Sequence, residues 1–298
     1  MIQMSMTKEN VALLKNNVAK GVNEERMSLD ALPMWKNNVF HLSNFILRSG
    51  MHQLESILNQ STIVATMFVG NCEGTEREYK ELVGDGGKAD KWRKAIRENT
   101  IGEPKPFSLD ATTSGNLVHS VYHIKRFEDA TKIDVKDVDL VLEFGGGYGS
   151  MCRAMYQAGF GGKYLMYDLS TPASLQHFYA RSTGYDVEVM NEFSDSKQVY
   201  CFSDVKKLDL QLSLLPLCKR RMFVASWSIS VSPEPIRRTV FEMLRRHGFE
   251  HFLIAFQWTF EGINNDDFFA ALQMPNVQSV TIENTVFPAN RYWFGWPK

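Results

Sequence analysis

The sequence predicts an α/β protein in which an open, doubly wound parallel sheet follows a helical N-terminal region. Two observations predict this. From residue 138 onward, short β-branched or aromatic runs alternate with amphipathic stretches long enough for crossover helices. Before that, the first 100 residues are rich in Asn, Lys, Glu and Met, with apolar residues at helical intervals.

In the N-terminal half, Leu42, Phe45 and Ile46, then Leu54, Ile57 and Leu58, keep the helical period. Gly50 and the 84–87 stretch divide it into pieces, and Gly102, Pro104 and Pro106 end a charged helix around residues 92–99. Residues 100–112 read as a linker, separating a helical cap over 1–112 from a second domain over 113–298. Ser114 is placed to cap a helix carrying Leu117, Val118, Val121, Ile124 and Phe127. Strands are expected over 138–144, 164–168, 199–203, 222–226, 252–257 and 277–283, with helices over 150–158, 172–181 and 235–246. Open sheets of this kind bind ligands at the carboxyl ends of the strands, beside the point where strand order reverses. The loops after Phe144, Asp168, Ser203, Ser226 and Gln257 should therefore share one crevice.

Composition narrows the function. Lys and Arg number 33 against 34 Asp and Glu, a net charge of −1 with no basic run, so nucleic acid is not the expected partner. No apolar run approaches the roughly 18 to 20 residues that span a bilayer, and the first 20 residues lack the apolar core of a signal peptide, so a cytoplasmic location is expected. Cys72, Cys152, Cys201 and Cys218 lie far apart and form no CxxC pair, which points to reduced thiols rather than zinc or disulfides.

The turn Gly145-Gly146-Gly147-Tyr148-Gly149 lies between an apolar strand and a helix, where missing side chains let the backbone turn sharply and approach a ligand. Glycines there can also be purely conformational. Two acidic residues sharpen the reading. Glu143 precedes the glycines, where it would repel a pyrophosphate and attract an ammonium. Asp168 ends the next strand, 19 residues beyond Gly149, where a carboxylate can hold both hydroxyls of a ribose or simply cap the following helix. A cationic amino acid joined to a nucleoside satisfies both carboxylates.

This arrangement resembles the class I S-adenosylmethionine-dependent methyltransferases, which implies a Rossmann-like, seven-stranded methyltransferase sheet and S-adenosylmethionine as cofactor. On that resemblance, Glu143 and Gly145 to Gly149 form the first cofactor motif, the Tyr148 ring either shaping the cofactor pocket or packing beneath the N-terminal helices, and Asp168 with Leu169 holds the ribose. Asp204, with Val205 beside it, lies near the adenine amino group. Ser226 and Trp227 line the methyl-transfer pocket, the Trp227 ring lying beside adenine or the sulfonium. Residues 142–153, 162–164, 167–169, 225–230 and 290–295 are similar to the sugar O-methyltransferases of bacterial polysaccharide gene clusters. That similarity covers roughly residues 110–298. It implies a small-molecule acceptor such as a sugar or nucleotide sugar, methylated on oxygen.

An alcohol acceptor must lose its proton, and His119, His123, Glu234 and Glu261 are the candidate bases. His119 and His123, at i and i+4, share one side of the helix before the first strand. They could equally border its apolar face, and without a third ligand they do not indicate a metal. Glu234 faces the crevice or serves as an acid in a first helical turn. Gln257 and Trp258 could bind acceptor hydroxyls and stack on a sugar ring, or simply pack. The helical cap reads as a lid over the acceptor or as a homodimer interface. Competing readings are an N-methyltransferase of a natural product or peptide, a nicotinamide-dependent dehydrogenase, and a silent relative of the fold; Glu143 and the missing third glycine of the dinucleotide pattern oppose the dehydrogenase.

Overall fold

The computed structural model describes residues 6–25, 32–192, 194, 196–215 and 220–298. The N-terminal part forms helices α1 (Lys8–Glu25), α2 (Pro33–Arg48), α3 (Met51–Glu55), α4 (Ser61–Met67), α5 (Glu73–Val83) and α6 (Ala89–Ala95). Gly50 caps α3, and Gly84 caps α5 where the sequence expects breaks. Helix α7 (Gly115–Thr131) starts as predicted: the Ser114 hydroxyl accepts from Leu117 N at 3.2 Å. The α/β part follows as β1 (Leu140–Phe144), α8 (Ser150–Gln157), β2 (Lys163–Tyr167), α9 (Ser170–Ser182), β3 (Val199–Phe202), α10 (Val205–Leu214), β4 (Arg221–Ser226), α11 (Glu234–Arg246) and β5 (His251–Gln257). A short hairpin of β6 (Thr259–Phe260) and β7 (Ile263–Asn264), then α12 (Asn265–Ala271), β8 (Val277–Glu283) and β9 (Asn290–Pro297), complete the chain.

Seven strands form one sheet in the order β3-β2-β1-β4-β5-β9-β8. This is the Rossmann-like α/β sheet expected. The five strands from β3 to β5 are parallel, and strand order reverses between β1 and β4. The purely parallel expectation fails at one edge: β9 enters antiparallel between β5 and β8, and β8 pairs antiparallel with β9. Residues 290–297 are not predicted as a strand because Gly295 and Pro297 interrupt their pattern. Gly295 fits closely there: a Cβ would stand 3.0 Å from both the Phe252 ring and Val277. Helix α10 is also absent from the sequence reading.

Alternation along the strands splits the core into two faces. Val141, Tyr164, Met166, Val224 and Leu253 pack beneath α7 and α8, while Leu142, Leu165, Phe223, Ile254 and Trp293 face residues of α10 and α11. Parallel strands covered on both faces read as unbroken apolar runs, which is why they were legible. The N-terminal helices share these cores. Leu82, Trp92, Ile96 and Phe107 belong to the α7–α8 layer, and Leu14, Ile46, Leu58 and Ile63 pack with Tyr148, Leu175 and Phe178.

Polar contacts stitch the N-terminal helices to the glycine turn. Asn116 on α7 accepts from Val69 N at 3.0 Å and donates to the Tyr148 and Ser150 hydroxyls at 3.1 Å each. Arg153 on α8 is buried against Glu98 at 2.5 Å. Cys72, Cys152 and Cys201 are free thiols, and Cys218 lies outside the described residues. Among the described residues, no helix is long and apolar enough to cross a membrane.

Candidate functional site

The five parallel strands end at one edge of the sheet, on either side of the reversal between β1 and β4. There the chain stops being fully buried: Phe144 to Gly147, Asp168 and Leu169, Ser203 to Val205, Ser226 to Ser228, and Gln257 are all half-buried. The structure thus brings the five predicted loops to one edge of the sheet.

Backbone geometry explains the glycines after β1. Gly145, Gly147 and Gly149 all have positive φ, at 69°, 59° and 100°. At Gly145 a Cβ would lie 2.3 Å from the Ser228 Cβ, so the turn can pass beneath the β4 loop only without a side chain. Gly145 N donates to Tyr167 O at 2.8 Å, and the Ser228 hydroxyl donates to Phe144 O, tying the turn to β2 and to the loop after β4. Gly149 N closes the turn on Gly146 O at 2.9 Å.

Beneath this turn lies the Glu143 carboxylate. It is buried, and its Oε2 accepts from the Tyr164 hydroxyl at 2.9 Å. A Cβ on Gly146 would fall 2.8 Å from that oxygen, so the turn can pack on the carboxylate only without a side chain at this position. Burial pushes the Glu143 carboxyl up to about 8, the Tyr164 bond works against this, and the nearby Asp168 charge adds to it. A buried acid in this state is stabilised as carboxylate by an approaching cation.

Asp168 follows β2 and is tied in place by its neighbours. Oδ1 accepts from Leu169 N and Oδ2 from Gln176 Nε2, both at 2.8 Å. The same Gln176 amide reaches Gly147 O at 3.2 Å, so α9 fixes the distance between the turn and the carboxylate. Leu169 caps α9, and Asp204 caps α10 through Lys206 N and Lys207 N, with Val205 packed on the core beside it. Asn191 accepts from Ser203 N at 2.8 Å and holds that loop. Gln176 and Asn191 were missed because neither stands beside a recognisable motif.

Tyr148 corrects one expectation. Its ring turns away from the crevice into the core, stacked on Phe68 at 5.1 Å and edge-on to Tyr179 at 5.0 Å, so only its backbone belongs to the turn. Glu234 corrects another. It begins α11 on the surface, and its carboxylate is held by Arg238 four residues on, the arrangement of a first-turn acid rather than a base. Glu261 sits exposed in the turn between β6 and β7.

The two histidines, by contrast, are gathered into a buried cluster at the edge of the crevice. Their rings lie 4.2 Å apart, edge to face, and the Trp227 ring lies 4.9 Å from His119 and 6.3 Å from His123. Trp227 itself takes a left-handed backbone, φ 63°, directly after β4. Its ring packs against the α7 histidines and Phe287. His119 Nδ1 meets both oxygens of Glu78 on α5, at 2.9 and 3.0 Å, and His123 Nδ1 meets the Tyr292 hydroxyl at 2.9 Å. Burial lowers the His119 imidazole to about 3, holds His123 well below the usual imidazole range with His119 adding repulsion, and raises the Glu78 carboxyl to about 9. Sequence reading missed Glu78 and Tyr292, which lie 41 and 169 residues from their partners. Among the described residues, no group of three or more His, Cys, Asp or Glu side chains is arranged to hold a metal ion.

At the end of β5, Trp258 is 46% exposed and the Arg291 guanidinium lies 5.5 Å from its ring centre. Gln257 Oε1 beside it is buried without a hydrogen-bond partner. This corner offers an open aromatic face with polar neighbours.

Compared with models of known protein families and with curated proteins, the chain matches none. Among solved structures it is similar to an rRNA methylase from Escherichia coli, at 10% identity and a TM-score of 0.40, over 94% of this chain and 100% of that one. A mitomycin 7-O-methyltransferase is similar at 11% identity and 0.39, over 90% and 69%. A glycopeptide N-methyltransferase is similar at 18% identity and 0.30, over 60% and 73%. At that distance the likenesses do not choose a reaction or an acceptor, and the functional reading rests on the site.

Proposed function

We propose that the chain is an S-adenosylmethionine-dependent methyltransferase that methylates a hydroxyl of a polar small molecule such as a sugar. One observation carries the reading: two acidic side chains, Glu143 and Asp168, stand at the ends of neighbouring strands beside one glycine turn, which packs directly on the first of them. The donor set fits this cofactor. Glu143 suits the ammonium of its amino acid, Asp168 suits a ribose diol, and Asp204, after β3 at the same edge of the sheet, would suit the adenine amino group.

When bound, the cofactor supplies a methyl group already activated by its sulfonium. What the protein then contributes is chiefly alignment of the acceptor. In this reading Ser226 and Trp227, half-buried after β4, would line the methyl-transfer pocket, and Gln257 with Trp258 offers an amide and a stacking face for a polyol. Residues 1–112 act in this reading as a cap over the acceptor, fastened through Asn116 and Arg153.

Calorimetric titration with S-adenosylmethionine and S-adenosylhomocysteine tests the reading, with Asp168→Ala and Glu143→Ala as controls. Saturable binding that both substitutions weaken is expected. Folded wild-type protein that binds neither ligand overturns it. An acceptor screen starting from glycosides and nucleotide sugars, with amines alongside, then separates oxygen from nitrogen transfer.

A further inference from the structure

The two outer edges of the main sheet are finished differently. Beside β3, the chain over residues 186–191 covers the edge: Glu188 N donates to Val199 O and Asn191 N to Cys201 O, both at 3.0 Å. Beside β8, no segment among the described residues pairs, and Gln278, Ser279, Val280 and Thr281 are all exposed. Open edges are commonly blunted by Lys, Pro or a bulge. Residues 277–283 contain neither Lys nor Pro, their register with β9 runs unbroken, and Val280 is 36% exposed.

The ladder shows which backbone groups this edge leaves free. Lys298 N donates to Asn276 O and Asn284 N to Asn290 O, both at 2.9 Å, at the two ends of the β8–β9 register. Hydrogen-bonding direction alternates along an antiparallel strand, so the even-numbered residues of β8 face β9. Val277, Ser279, Thr281 and Glu283 therefore turn their N–H and C=O groups outward in one row.

We propose that β8 pairs antiparallel with β8 of a second copy of this chain, about a two-fold axis at Val280, joining the two sheets edge to edge. The row of outward groups selects this partner and this register. Val277 then lies opposite Glu283 of the second copy and Ser279 opposite its Thr281, so each outward residue exchanges two hydrogen bonds and no group is left over. An axis at Ser279 sets Glu283 against Pro275, which has no N–H, and an axis at Thr281 sets Val277 against Thr285, beyond the end of β8. At the chosen axis, Val280 meets Val280 in a non-hydrogen-bonded pair, where side chains approach most closely, and its exposed surface is covered. Charge agrees with the pairing. Glu283 is the one charged residue of the strand and lies 3.8 Å from Arg291 of its own chain; the axis holds the two copies of Glu283 about 20 Å apart. Because the paired strands run in opposite directions, the two glycine turns lie at opposite ends of the joined strands, and pairing blocks neither. One strand from each copy is a small interface, so the dimer forms and dissociates with concentration.

Sedimentation equilibrium with residue-resolved hydrogen exchange tests the pairing and needs neither cofactor nor acceptor. As concentration rises, the mass should climb from 34.1 kDa towards twice that value. The amides of Val277, Ser279, Thr281 and Glu283 should gain protection as it climbs, whereas those of Gln278, Val280 and Ile282, which face β9, should be protected throughout. Val280→Lys sets like charges opposite each other and should hold the mass at 34.1 kDa with Tm near that of wild type. Thr281→Pro removes an outward donor without touching a bond to β9 and should do the same. A single-chain mass at every concentration up to about 1 mM, the weak end of specific association, overturns the inference and leaves the edge to a strand of another protein. A dimer whose four outward amides exchange freely, or one that survives both substitutions, overturns it too, since association then lies on another face such as the N-terminal helices.

Discussion

The glycine turn and the histidine cluster stand side by side in the fold but are built in opposite ways. The turn is local: Glu143, the glycines and Asp168 come from two consecutive strands, and the parallel register of β1 and β2 sets their spacing. The cluster is assembled from four distant segments, with Glu78 from α5, His119 and His123 from α7, Trp227 from the β4 loop and Tyr292 from β9. A site made by adjacent strands depends on the sheet and on the helix and loop packed directly against it. A site made by the cap, one helix and the last strand depends on the packing of the whole chain.

The largest effect should come from the local site. Removing the Asp168 carboxylate should weaken S-adenosylmethionine binding by about 100-fold in calorimetry, since hydrogen bonds to a charged group are each worth about 1.5 to 3 kcal/mol. The same substitution should leave the nitrogen-15 spectrum of His119 and His123 as it is. Should Asp168→Ala disturb it, the two regions are not independent and the contrast drawn here breaks.

Glu143 gives the local site a pH signature. Burial holds its carboxyl at about 8, so at pH 7 most of the free protein carries it protonated. A bound ammonium favours the carboxylate, so protonation competes with binding, and affinity should rise by up to about tenfold per pH unit between pH 6 and 8. The ligand's amine loses its own proton at about 8, so affinity should then fall. Glu143→Gln should bind weakly and keep only the falling limb. For folding the sign is reversed: a carboxyl raised from 4.5 contributes stability below that pH and loses it as pH climbs through about 8. Glu143→Gln should therefore melt higher than wild type at pH 9.

Gly74 on α5 probes the assembled site. A Cβ there would stand 2.6 Å from the Phe287 ring, which covers His119. Gly74→Ala should destabilise the fold by about 1 to 3 kcal/mol, the usual cost of overpacking, seen as a lower Tm. Cofactor affinity should change by less than about twofold, since the turn has no part in that contact.

These differences track what could be read in the sequence. The strands up to β5, the Ser114 cap, the glycine turn and Asp168 were legible because each depends on neighbours along the chain or on the next strand. Strand β9 was hidden by Gly295, which fits closely against the Phe252 ring 43 residues earlier. Tyr148 looked like part of the crevice because the sequence shows its place in the turn but not the Phe68 and Tyr179 rings that draw it inward. The histidines were visible as an i, i+4 pair, but Glu78 and Tyr292 lie too far along the chain to be joined to them without the fold.

The smallest effect expected joins the two kinds of information. Ser114 caps the helix that carries both histidines, and this was legible; its hydroxyl also donates to Glu98 at 2.6 Å, which was not. Glu98 in turn holds Arg153 on α8, the helix that starts at the glycine turn. Ser114→Ala should cost about 1 kcal/mol as a lost cap. If the cap is only local, hydrogen exchange should quicken at the first turn of α7, Leu117 foremost, and stay unchanged in α8 and β1. If the bond to Glu98 couples the regions, amides in the first turn of α8 should quicken as well. The second pattern would mean that the histidine helix and the cofactor turn share a support, and that the local site is less self-sufficient than its strands suggest.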